Sequence, residues 1–147
     1  MKAISIRQPW CWLILHAGKD VENRTWSVSY RGPVLIHASK SDKQEDWDDA
    51  MDFVDDAFPL DAEGRLRRRA QAYGEAKRGG IVGVAEIVDC VRESASPWFF
   101  GPRAFVLADR RPCPLIPYSG ARGLFEVPDE IAARAVAAAD ASAARAA

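Results

Sequence analysis

Midway along the chain stands "GIVGVAEIVDCV", residues 80–91. It carries β-branched residues on both faces, which makes it the clearest strand of the chain. Glu86 interrupts it between Ala85 and Ile87, and a carboxylate in so apolar a run needs a partner or an exposed rim. Downstream, "RAFVLA" (103–108) reads as a further strand. The proline-rich "RRPCPLIPYSGARGLFEVP" (110–128) predicts one or two short segments around tight turns, with Pro128 ending the sheet.

Upstream, Ile4 and Ile6 alternate with polar neighbours as in a short half-buried strand. "RGPVLIHAS" (31–39) is a continuous apolar run bounded by Gly32, Pro33 and Ser39, the pattern of a buried strand. Helices fill the intervals. "RQPWCWLILHAGK" (7–19) has Pro9 in its first turn, Trp10, Leu13, Ile14 and Ala17 on one stripe, and Gly18 as a left-handed stop. From Ser41, Trp47, Met51, Val54 and Phe58 recur at helical spacing with aspartates on the wet face. "EGRLRRRAQAYGEAKRGG" (63–80) predicts a helix with an arginine-rich face over 65–69. That face either tracks a phosphate backbone or pairs with the acidic helix across a short loop.

Strand and helix do not alternate as in a doubly wound fold, and the later strands run consecutively. The class expected is α+β, a curved, mainly antiparallel β-barrel flanked by helices. One domain spans 1–128, because 147 residues hold one well-buried core. Residues 129–147 form an alanine-rich C-terminal helix or a frayed tail, with only Ile131 and Val136 as sizeable anchors.

Composition removes several classes of function. No apolar run reaches membrane-spanning length and the first residues do not read as a signal peptide, so a cytoplasmic location without membrane contact is expected. Cys11, Cys90 and Cys113 are odd in number and far apart, which argues against a disulfide framework or a metal pair; no cofactor is expected. A net charge of −1 disfavours a general nucleic-acid coat, yet an acidic segment over 42–56 precedes a basic one over 65–78.

"GKDVENRTW" (18–26) concentrates charge after the first helix. If the chain turns and enters a strand there, Lys19, Glu22 and Arg24 reach one cleft. Lys19 then binds a phosphate or polarises a carbonyl, Glu22 orients it or reads a base edge, and Arg24 clamps a phosphate. The alternative is an ion-paired surface corner.

"SIRQPW" (5–10), "GKDVENRTW" and "YRGPVLIHAS" (30–39), in that order, resemble the ASCH domain family, the activating-signal-cointegrator homology domains. The family signature, a G-x-K-x-x-E-x-R loop, is matched to Gly18, Lys19, Glu22 and Arg24. "GIVGVAEIVDC" and "PYSGARGLFEVP" (117–128) resemble its central and closing strands. The resemblance implies a PUA-like β-barrel with the motif loop lining a cleft, and binding of RNA, single-stranded nucleic acid or a nucleoside-like ligand.

The alternative it implies is an enzyme on RNA or a modified nucleoside, a ribonuclease or amidohydrolase, with Lys19 and Glu22 as catalytic residues. In the amidohydrolase branch a nucleophilic threonine stands where this chain has Glu22. Gln8 and Trp10 are further binding candidates, an amide and a ring for stacking, with core packing the competing role for Trp10. His37 is either a cleft residue or a satisfied core imidazole. Tyr118, Ser119 and Arg122 are rim candidates, Trp98 covers the cleft or packs in the core, and the acidic and arginine-rich helices can dock a protein partner.

Overall fold

A computed structural model describes residues 1–146. In chain order these form β1 (Lys2–Ile6), α1 (Trp10–His16), β2 (Val21–Arg24), β3 (Gly32–Ala38), α2 (Gln44–Ala57), α3 (Ala62–Glu75), β4 (Gly80–Val91), β5 (Arg103–Pro117), β6 (Leu124–Glu126) and α4 (Asp129–Ala146). The stretch 80–91 is β4 in full, third in a six-stranded sheet ordered β2-β5-β4-β3-β1-β6. All neighbours are antiparallel except β1 with β3. Glu86 takes the exposed-rim option.

Burial on both faces explains why β3 and β4 read as unbroken apolar runs. Ile4, Ile6, Val34, Ile36, Ile87, Phe105 and Leu107 fill the concave side. On the other side Ala3, Leu35, Ile81 and Val84 lie under α4, whose Ala132, Ala135 and Ala139 are buried against them. Small side chains let that helix approach the sheet closely, so it packs through alanines rather than through large anchors. An ion pair of Arg111 with Asp140 ties the helix to β5.

The β4–β5 register shifts three times, between Ile81 and Gly83, Val84 and Glu86, and Ile87 and Asp89. Such irregularities bend a strand and sharpen its twist. The sheet curls until edge strand β2 nears β1, where Arg24 Nη2 donates to Ser5 O at 3.0 Å. The ladder stays open, since β2 and β6 are its two edges, and the expected barrel is a curled half-barrel.

The segments expected after residue 108 are instead one strand continuing to Pro117. Its prolines are tolerated because β2 pairs only with Arg103–Val106, leaving the remainder of β5 an edge. α2 and α3 realise the pairing reading of the two charged segments. Arg68 meets Asp55 at 2.7 Å, Arg69 meets Asp48 at 3.8 Å, and the Trp47 and Tyr73 rings stack at 4.3 Å.

No helix among the described residues is long and apolar enough to cross a membrane. All three cysteines are free. Burial pushes the Cys11 thiol far above the usual thiol range and that of Cys113 up to about 11. Titration of the native chain with a disulfide reagent at mildly alkaline pH is therefore expected to modify the half-exposed Cys90 rapidly and the other two only after denaturation. Three fast thiols in the native chain would contradict this packing.

Candidate functional site

α1 stops at Gly18, whose φ of +82° suits a residue without a Cβ. The Lys19 amide then donates to Leu13 O at 3.0 Å, closing the helix end. This turn sends the Lys19 side chain inward, leaving it 1 % exposed, an unusual fate for a lysine. Its ammonium donates to Val21 O at 2.5 Å and to Glu22 Oε1 at 2.9 Å, and lies 5.3 Å from the centroid of the Trp10 ring.

Glu22 and Arg24, two apart on β2, share a face. Glu22 Oε2 accepts from Arg24 Nε at 3.1 Å, and Arg24 Nη2 stands 2.9 Å from the same oxygen. One buried carboxylate thus holds two cations, one on each oxygen. Both proposed characters of the loop are present, since an ion-paired corner is also the wall of a cleft.

That cleft, of about 340 Å³, is lined by Ser5, Ile6 and Arg7 of the β1 end, Trp10, Lys19, the β2 residues Glu22, Asn23 and Arg24, and Phe100. Arg7 reaches Asp46 at 3.4 Å. Asn23, a variable position of the signature, holds the opposite rim. Its Nδ2 donates to Trp98 O at 3.0 Å, and its Oδ1 accepts from Phe100 N at 3.0 Å and Gly101 N at 3.2 Å. Phe100 is 59 % exposed yet has its backbone fixed by this amide.

The sequence-derived candidates divide. Lys19, Glu22, Arg24 and Trp10 meet in the cleft. Trp10 is half-buried, 6.0 Å from the Phe53 ring and 6.3 Å from that of Phe100, so it is both wall and packing. Gln8 does not join them. Its Oε1 accepts from Trp12 N at 3.0 Å and its Nε2 donates to Lys77 O at 2.7 Å, so both ends of the amide are consumed in capping α1 and anchoring the β4 approach.

Trp98 is core, 4 % exposed and packed on Phe58 at 4.7 Å; Phe100 occupies the covering position instead. His37, Tyr118, Ser119 and Arg122 line a second cavity of about 410 Å³ that shares only Ser5 with the cleft. His37 Nε2 meets Tyr118 O at 2.7 Å, and since a carbonyl only accepts, the neutral ring carries its proton there. Nδ1 then accepts from the Ser5 hydroxyl at 2.9 Å. His37 is thus a satisfied, buried imidazole forming the cavity floor.

Ser5, Arg7, Asn23 and Phe100 were not singled out beforehand. Asn23 lay inside the motif, but Phe100 belongs to a loop whose position depends on tertiary contacts. Among the described residues, the cleft lining contains no threonine and no carboxylate besides Glu22, and no group of three or more His, Cys, Asp or Glu is placed to hold a metal ion.

The chain is thus an α+β domain, a curled half-barrel whose β2 edge carries a buried lysine–glutamate–arginine cluster beside a small cleft. The ASCH domain model matches residues 4–107, and the chain belongs to the ASCH domain family. Within it, Gly18 directly precedes Lys19, one position nearer than the signature's spacing, so Lys19, Glu22 and Arg24 carry the match.

The structure is similar to that of ASCH from Zymomonas mobilis, with TM-score 0.53, 14 % identity, and coverage of 92 % of this chain and 93 % of that one. Two point mutants of the Zymomonas mobilis protein give TM-scores of 0.51 and 0.52 at 15 % identity, over 92 % of this chain and 96 % and 94 % of theirs. No curated protein matches the chain.

Proposed function

We propose that the cleft binds one unpaired nucleotide of RNA or single-stranded nucleic acid. The observation that carries this reading is the pairing of an exposed, rigidly mounted aromatic ring, Phe100, with the guanidinium of Arg24 across a single-nucleotide-sized cleft. A base stacks on Phe100 and the Trp10 edge, since every base offers a π-face. Arg24 is oriented by Glu22 and Ser5 through Nε and Nη2, while Nη1 carries none of the described hydrogen bonds and faces a phosphate or sugar oxygen. Lys19 acts through Glu22 as a positioning residue, because its ammonium is already engaged by protein acceptors. That engagement favours binding over catalysis by Lys19 and Glu22.

The same reading takes the half-barrel as an incompletely closed PUA-like barrel presenting loops on one rim. Three free thiols suit a reducing, cytoplasmic setting.

Base–aromatic stacking contributes about 1–3 kcal/mol by alanine substitution. Phe100→Ala is accordingly expected to weaken mononucleotide binding about tenfold at low salt with the unfolding midpoint unchanged, as read by competition against a labelled single-stranded RNA. Equal affinity in the variant and the parent would remove Phe100 from the site.

A further inference from the structure

The cleft is the first of three neighbouring cavities, each sharing one lining residue with the next. Ser5 lines both the cleft and the 410 Å³ cavity over His37, and Lys40 lines both that cavity and a third of about 620 Å³. Seven cationic side chains and the single carboxylate of Glu22 line the three together, in a chain whose net charge is −1. Outside the cleft the cations are Lys40, Lys77, Arg78 and Arg122. Arg78 reaches Asp42 at 3.4 Å, whereas no ion pair engages Lys40, Lys77 or Arg122 among the described residues. Beyond Lys77 a small cavity containing Glu75 ends the basic run.

We infer that these cavities form a track for the phosphate backbone of a single strand, whose leading nucleotide enters the cleft. The inference extends the reading of the cleft and rests on it. The cations of the two cavities outside the cleft, whose linings hold no carboxylate, together with the hydroxyls of Ser39, Tyr118 and Ser119 in the middle cavity, match the donor set that contacts phosphate and sugar oxygens. The track is lined from six separate parts of the chain, and it lies off the arginine-rich segment 65–69, whose Arg68 and Arg69 pair with α2. The ligand is therefore a strand of several nucleotides rather than a free nucleoside.

The test compares a mononucleotide with a single-stranded RNA octamer, using the parent chain, a Lys40→Ala/Lys77→Ala/Arg122→Ala variant, and a charge-matched Arg65→Ala/Arg67→Ala/Arg145→Ala control. The parent is expected to prefer the octamer. The track variant loses about tenfold or more in octamer affinity, and its log affinity against log salt flattens by about 2, at ~0.7 per phosphate contact. Mononucleotide binding and the control stay unchanged.

Equal octamer binding by the track variant overturns the track, as does an equal loss in the control, tighter binding of a duplex of the same sequence, or displacement by an acidic peptide at matched charge. If Phe100→Ala still weakens the mononucleotide while the track variant behaves as the parent, the track falls and the cleft stands. If Phe100→Ala changes nothing while the track variant alone loses the octamer, the track stands and the cleft reading falls.

Discussion

Glu22→Ala is expected to lower the unfolding free energy by about 3–5 kcal/mol, the cost typical of removing one partner from a buried ion pair. The reason is the asymmetry of the cluster. Glu22 supplies one oxygen to Lys19 and the other to Arg24, so its loss leaves a nearly inaccessible ammonium with Val21 O as its one described acceptor and detaches the guanidinium that reaches Ser5 O. Against a total stability of about 5–15 kcal/mol for ordinary domains, such a loss is a large fraction.

Lys19→Met is the informative comparison. It removes the cation but leaves Glu22 bound to Arg24, and an apolar chain of similar length fits beside Trp10, so its cost should be much the smaller. Glu22→Gln should fall between the two, since its amide oxygen still accepts. Urea unfolding with matched m-values checks the order. If Glu22→Ala unfolds within about 1 kcal/mol of the parent, the cluster does not hold the loop.

Gly83→Ala should cost about 3 kcal/mol, at the upper end of ordinary overpacking, and impair the site from a distance. Gly83 lies in β4 opposite Pro112, beneath α1. A Cβ there would stand 2.6 Å from Leu15 Cδ2 and 2.7 Å from Arg111 O. The leucine can rotate, but the carbonyl belongs to the paired strand and cannot retreat without opening the ladder. Both Leu15 methyls lie within 2.8 Å of that Cβ, so strain at Gly83 also presses on α1, whose C-terminal turn delivers Lys19 to Glu22. Reduced stability together with weaker mononucleotide binding is therefore expected, read by urea unfolding and by titration. A stable variant that binds normally would show that α1 does not need this close approach.

Much of the molecule was legible from local pattern. The unbroken run 80–91, the alternation at Ile4 and Ile6, and the helical stripes at 10–17 and 47–58 each report burial of one element, and burial by element is what periodicity encodes. The spacing of Glu22 and Arg24 sets them on one strand face, and Gly18 marks where the preceding helix ends, so the cluster at the heart of the cleft follows from short-range rules.

What tertiary structure decided was which distant residues share a space. Gln8 and Trp10 are two apart, yet one is spent on capping and the other faces the cleft. Trp98 and Phe100 differ likewise, because Asn23 fixes the backbone between them. The prolines after residue 108 lie within a strand only because β2 ends early beside β5. Lys40, the adjacent Lys77 and Arg78, and Arg122 come from three separate connections and line neighbouring cavities only in the folded chain. The curl of the sheet is the sum of small register shifts along β4 and β5, a property of paired strands that no single segment carries, so the ion cluster was written in the sequence while the track around it required the fold.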